Sequence, residues 1–274
     1  MSRRLSCLAT LALLHAAALG TAHSQTFYFK DGRKASMPEA RVKGTNIIVP
    51  VKLAGATEAE GSAELTLPIS TLKRIDWPAP AAIAQAEADL KAGKPTDALQ
   101  RINSVLFEQD PFREVPGSWW SQGAVIKAVA LARLGKDVDA DVAVELLRRA
   151  KADPELISRG EIAIIDQLVA TGKTDAANAR LEKVQNTATD DATLAGIALA
   201  KGQIFERAKR NEDALLSYLR VPVYYASEDG KMPAALLGAY RTLLAIGDEK
   251  RADDIRETLT TRYPNSPEAA QAKR

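Results

Sequence analysis

Between residues 81 and 264 one local pattern returns five times, and that recurrence restricts the fold more than any other feature of the chain. Each occurrence has a turn residue and, five positions later, an alanine: Gly93 with Ala98, Gly135 with Ala140, Gly172 with Ala177, Lys209 with Ala214 and Gly247 with Ala252. The anchors are spaced 42, 37, 37 and 38 residues apart. A period of that length marks a supersecondary unit that cannot bury its apolar face alone and must stack on copies of itself. Glycine ends a helix in the left-handed conformation without a Cβ clash. The alanine lies on the following helix where the preceding one crosses closest. Nine residues after the turn a large apolar residue recurs as Ile102, Val144, Leu181 and Tyr218, while Arg256 departs. Seven before the turn Ala86, Ala128 and Gly202 are small, while Ile165 and Tyr240 are not. The pattern predicts five helix–turn–helix units.

Five units with "G-[KD]-x-x-x-A" at the turn resemble the tetratricopeptide repeat (TPR) family. The fourth unit, "AKGQIFERAKRNEDALLSYLRVPVYY", together with "TRYPNSPEA", is similar to envelope TPR proteins of Gram-negative bacteria. The family closes its second helix with proline; only Pro264 stands in register, and Pro111 and Pro154 fall one or two residues late. The resemblance implies a mostly α fold, an α-solenoid of about five helix pairs. After Pro264, Ser266 has the chemistry of an N-cap, with Pro267 and Glu268 in the first helical turn. The short helix that follows is expected to cap the last pair.

TPR arrays bind through a concave face lined by the first helix of each pair. Carried onto this sequence, that register places Gln122, Val125 and Val129 there from the second unit, and Arg159, Ile162, Asp166 and Val169 from the third. The fourth unit supplies Leu199, Gln203 and Glu206, and the fifth Leu237, Arg241 and Leu244. The Lys/Arg/Asn clamp that some TPR proteins close on a C-terminal carboxylate is not recognisable. The ligand implied is an extended or helical peptide held by apolar pockets. Envelope proteins of this type accompany Tol–Pal, outer-membrane assembly or TonB-type complexes, and the resemblance implies a partner of that kind.

Residues 1–24 have the layout of a secretory signal peptide: Arg3 and Arg4, a short apolar run, then Ala22-His23-Ser24. The run is too short for a lasting membrane span. A periplasmic location, with no stable span after cleavage, is expected. Cleavage would remove His15, His23 and Cys7, leaving a chain without histidine or cysteine. That excludes disulfides, thiolate or imidazole catalysis and the usual zinc, haem and iron–sulfur ligands; no cofactor is expected. The 37 basic residues become 35 with Arg3 and Arg4 gone, against 35 acidic ones. A neutral chain gives no indication of nucleic-acid binding.

Residues 25–77 read differently. "TFYFKDGRKAS", "RVKGTNIIVPVKLAG" and "AELTLPISTLKRIDWP" alternate apolar and polar positions around turn signals, predicting four or five short antiparallel strands. Their rhythm resembles small SH3-like or Sm-like barrels, which serve as peptide, wall or oligomerisation modules; self-association is one implied role. Pro78-Ala79-Pro80 then separates this module from a helical domain over 81–274.

Adjacent tryptophans Trp119 and Trp120 lie in the long link between the first two units. They cannot both face one side of a helix, so either an interface anchor or a buried junction results. Three functions follow. The first is a non-catalytic scaffold or adaptor binding a protein in the groove. The second is a peptidoglycan-associated protein whose Phe27, Tyr28, Phe29 and Trp77 stack on sugars or form the module's own core. The third, an enzyme using carboxylates, has no carboxylate pair standing out from helical surface patterning.

Overall fold

The computed structural model describes residues 25–37, 40–51 and 63–273; the expected leader over 1–24 lies outside them. The described residues form eleven α-helices preceded by two three-stranded antiparallel sheets. Ten helices make five consecutive pairs: α1 (Ala81–Lys91) with α2 (Pro95–Gln109), α3 (Trp120–Arg133) with α4 (Asp137–Arg149), and α5 (Pro154–Ala170) with α6 (Thr174–Gln185). Then come α7 (Asp191–Arg207) with α8 (Asn211–Tyr224), and α9 (Met232–Ala245) with α10 (Glu249–Arg262). A final short helix, α11 (Pro267–Ala272), packs on α9 and α10.

The turns explain why the helices stop where they do. All five anchors have positive φ: Gly93 +72°, Gly135 +70°, Gly172 +78°, Lys209 +57° and Gly247 +80°. The amide after each anchor folds back onto the helix it has left. Lys136 N–H donates to Leu131 O at 3.0 Å, Lys173 N–H to Leu168 O at 2.9 Å and Asp248 N–H to Leu243 O at 3.0 Å. These bonds satisfy carbonyls that a helix end would otherwise orphan. Lys209 makes the same turn with a Cβ present, which costs about 1 kcal/mol relative to glycine.

The periodic positions are the core. Ala98, Ala140, Ala177, Ala214 and Ala252 are all fully buried, as are Ile102, Val144, Leu181 and Tyr218 nine residues after their turns. Space for the larger ones comes from glycines in the neighbouring first helices. A Cβ at Gly160 would lie 2.8 Å from Val144, and one at Gly202 or Gly238 would lie 2.5 Å from the Tyr218 ring. Where Arg256 breaks the pattern it is exposed, and Leu259, fully buried one turn on, packs with Ala269 and Ala272 of α11. Ser266 accepts from Ala269 N–H at 3.0 Å, the N-cap that the sequence anticipates.

Among its described residues the N-terminal module has six strands rather than four or five. One sheet, ordered β2-β1-β6, joins β1 (Thr26–Phe29), β2 (Lys34–Ser36) and β6 (Leu72–Asp76). The other, ordered β3-β4-β5, joins β3 (Arg41–Lys43), β4 (Asn46–Val51) and β5 (Ala63–Pro68). Strands as short as three residues give too few alternations to count from sequence. Phe27, Phe29, Ile47, Leu67, Leu72 and Ile75 form the module's core, and Phe112, from the link between α2 and α3, completes it. Its ring centroid lies 4.9 Å from that of Trp77 and 6.0 Å from that of Phe27. Ile75 N–H donates to Pro116 O at 2.9 Å, and Gly117, at φ +88°, passes so close to Ile75 O that a Cβ would sit 2.0 Å from it. The link therefore crosses the expected seam at Pro78-Ala79-Pro80 and belongs to both parts.

Candidate functional site

The first helices of successive pairs lie side by side, α3 against α5 and α5 against α7. Arg159 of α5 reaches past α3 to Glu87 of α1, both terminal nitrogens lying 3.2 Å from Glu87 Oε1. Two further arginines tie neighbouring first helices together at their C-terminal ends: Arg133 donates to Leu90 O, and Arg207 to Ala170 O at 3.2 Å.

Two hollows open on the face that these first helices share. The first, of about 450 Å³, is floored by Val129, Ile162 and Ala163 and ringed by charged side chains, among them Glu87, Arg133, Arg159, Asp166 and Lys231. Crowding by the surrounding helices pushes the Asp166 carboxyl up to about 6, with Lys231 and Arg133 pulling the other way. The side chain still meets solvent at the groove mouth, and water there moderates the displacement. The second hollow, of about 500 Å³, is bounded by Ala170, Gln203, Glu206, Arg207 and Arg241. Arg241 donates to both oxygens of Glu206, at 3.0 and 3.1 Å, and the Tyr218 hydroxyl donates to Glu206 Oε2 at 2.6 Å. Burial, with the Glu206 carboxylate beside it, holds the Tyr218 phenol far above its ordinary value.

Of the residues placed in the groove by the repeat register, Arg159 and Asp166 meet in the first hollow, and Gln203, Glu206 and Arg241 in the second. Others need correction. Val125 and Leu237 are 0% and 6% exposed and serve as packing residues, because each first helix is covered by its own partner and by the next first helix. Val169 is likewise interior. Gln122 is half-buried, its Oε1 is buried without a hydrogen-bond partner, and it lines neither hollow. The first hollow combines an apolar floor with a charged rim, the mixed lining that the register implies.

The tryptophan pair is a buried junction. Trp120 is 5% exposed and packs in the core of the first two pairs. Trp119 is half-buried and donates from Nε1 to Trp77 O at 3.0 Å, joining α3 to the end of β6.

Two outer features escaped the sequence. A cleft of about 1210 Å³ runs between α4 and α6 over α5. Glu161, 6% exposed, spans it: Arg148 donates to one carboxylate oxygen and Arg180 to the other at 2.6 Å, while Arg180 also reaches Asp141 at 2.5 Å. A second groove, between α2 and α4, is walled by apolar side chains that include Phe107 and Leu146. Its signal was present: Phe107, Val142 and Leu146 are apolar but fall outside the five- and nine-residue rows. Among the described residues no group of three His, Cys, Asp or Glu side chains is placed to hold a metal ion, and no helix is long and apolar enough to cross a membrane.

Compared with known proteins, the chain matches no protein-family model and shows no match among curated proteins.

Proposed function

We propose that this protein is an exported, TPR-type adaptor that holds a peptide segment of another envelope protein against the shared face of its first helices. The observation that carries the reading is the Arg159–Glu87 bridge across α3, beside an open hollow with Asp166 on its wall. It supports the reading by supplying polar groups of the kind that a peptide groove uses. The Glu206–Arg241 pair, held from behind by Tyr218, supplies a second polar contact further along the same row of helices. Tol–Pal, TonB-type and outer-membrane assembly complexes are the partners suggested by the family resemblance.

In this reading the β module steadies the first pair. Phe27 and Phe29 point into its core, and Tyr28 lies under the Arg74 guanidinium, 3.8 Å from the ring centroid, so these rings support a packing role over sugar stacking.

The test is crosslinking in the native periplasm followed by mass spectrometry. Capture of one envelope protein, lost with both Arg159→Glu and Arg241→Glu, is the expected result. Capture that survives both changes, or only of muropeptide, would overturn the groove as the binding face.

A further inference from the structure

We propose that the outer groove between α2 and α4 is a docking site for an amphipathic helix with basic flanks, donated by another protein. The groove is built from second helices, whereas the hollows above lie among first helices. The inference therefore stands independently of the function proposed for those hollows.

Phe107, Val142 and Leu146 are 84%, 54% and 38% exposed. One exposed apolar side chain is ordinary; three lining a single groove are the mark of a surface that meets something. The hollows along it, of about 670 Å³ and 310 Å³, share Asn103, Lys127, Ala143 and Leu146, so they form one channel over α3. Val42 of β3 and Gly44 of the β3–β4 turn close one end. The 15 residues of α2 make a wall about 22 Å long, the length of four helical turns. A helix presenting apolar side chains at i, i+3 or i+4, and i+7 matches that span.

Charge selects among such helices. Glu108, Asp110 and Asp139 stand along the channel with Lys127; Asp110 is paired with Arg113 at 3.7 Å, and Glu108 and Asp139 make no ion pair among the described residues. Basic residues flanking the apolar stripe would meet them, whereas acidic flanks would be repelled. The α4–α6 cleft differs here: Glu161, Arg148, Arg180 and Asp141 already satisfy one another across it.

The experiment measures fluorescence anisotropy of two labelled model helices, each about 18 residues long with a leucine face. One has lysine flanks, the other glutamate flanks. The lysine helix is expected to bind saturably, one per chain, and the glutamate helix at least about tenfold more weakly. Phe107→Ser combined with Leu146→Ser should weaken the lysine helix by about tenfold or more, and Phe107→Ser alone, at a side chain 84% exposed, should weaken it while leaving the circular-dichroism melt unchanged. Glu108→Lys with Asp110→Lys should weaken it several-fold and flatten its salt dependence. Lys250→Ala, an exposed change on α10, should change nothing. Equal binding of the two helices, indifference to the Phe107/Leu146 change, or loss with Lys250→Ala would overturn the proposal. So would self-association, seen by sedimentation and abolished by Phe107→Ser, because the occupant would then be a second copy of this chain.

Discussion

In the fourth pair the residue nine after the turn is Tyr218, and Gly202 and Gly238 on either side leave its ring no free volume. In the third pair the same position holds Leu181, and α6 buries only Ala177, Leu181 and Val184. There the neighbouring helices are joined by charge, with Glu161 gripped by Arg148 and Arg180, and a cleft of about 1210 Å³ stays open. Both residues are equally buried, so burial at the repeat position does not decide how closely the next helix approaches. The residues opposite decide it, above all glycine.

The contrast can be broken from either side. Tyr218→Ala should have the largest effect, about 3–5 kcal/mol lost in urea unfolding, because two glycine-lined walls cannot close on the void. A loss below 1 kcal/mol would mean that the ring is not the lock described. Glu161→Gln should cost about 2 kcal/mol, below the usual figure for a broken buried pair because the Arg148 side chain is half exposed. That loss should shrink in high salt, and the Tyr218 loss should not. Gly238→Ala should cost about 1–2 kcal/mol through overpacking. In a double-mutant cycle with Tyr218→Leu most of that cost should vanish. Lys209→Gly should stabilise by about 1 kcal/mol, since it removes a Cβ from a left-handed turn at an exposed side chain.

The smallest effect is electrostatic. Asp166, in the third pair, has its carboxyl raised to about 6 in the folded chain, above the ordinary aspartate value. The folded state then holds the extra proton, so stability falls as pH climbs from about 4 through 6. Asp166→Asn should flatten that part of the pH–stability curve. An unchanged curve would show that water at the groove mouth cancels the crowding.

Much of this was legible from spacing alone. Left-handed turns, buried alanines and the bulky residue four beyond each follow from helix geometry, and they emerge at Gly93, Ala98 and Ile102 as at Gly172, Ala177 and Leu181. The register also brought Arg159 to Asp166 and Gln203 to Arg241. It misplaced Val125 and Leu237 because it shows which side of a helix faces its neighbour, and not that two neighbours cover the remaining sides. The Glu161 network joins residues 13, 19 and 39 positions apart on three helices, a pairing no single-helix pattern displays. Phe112 was invisible for a similar reason: a lone aromatic in an aperiodic link has no face to declare.

That phenylalanine also sets an order of events during synthesis. Phe27 is made early, but its ring partner Phe112 lies 85 residues later in the chain. The β strands cannot finish their interior until α1, α2 and the link have emerged. A fragment ending at residue 77 would carry a hole at its centre, and one beginning at residue 81 would show a bare aromatic to water. The small module is thus completed only after the first helix pair has emerged, although its strands are made before that pair.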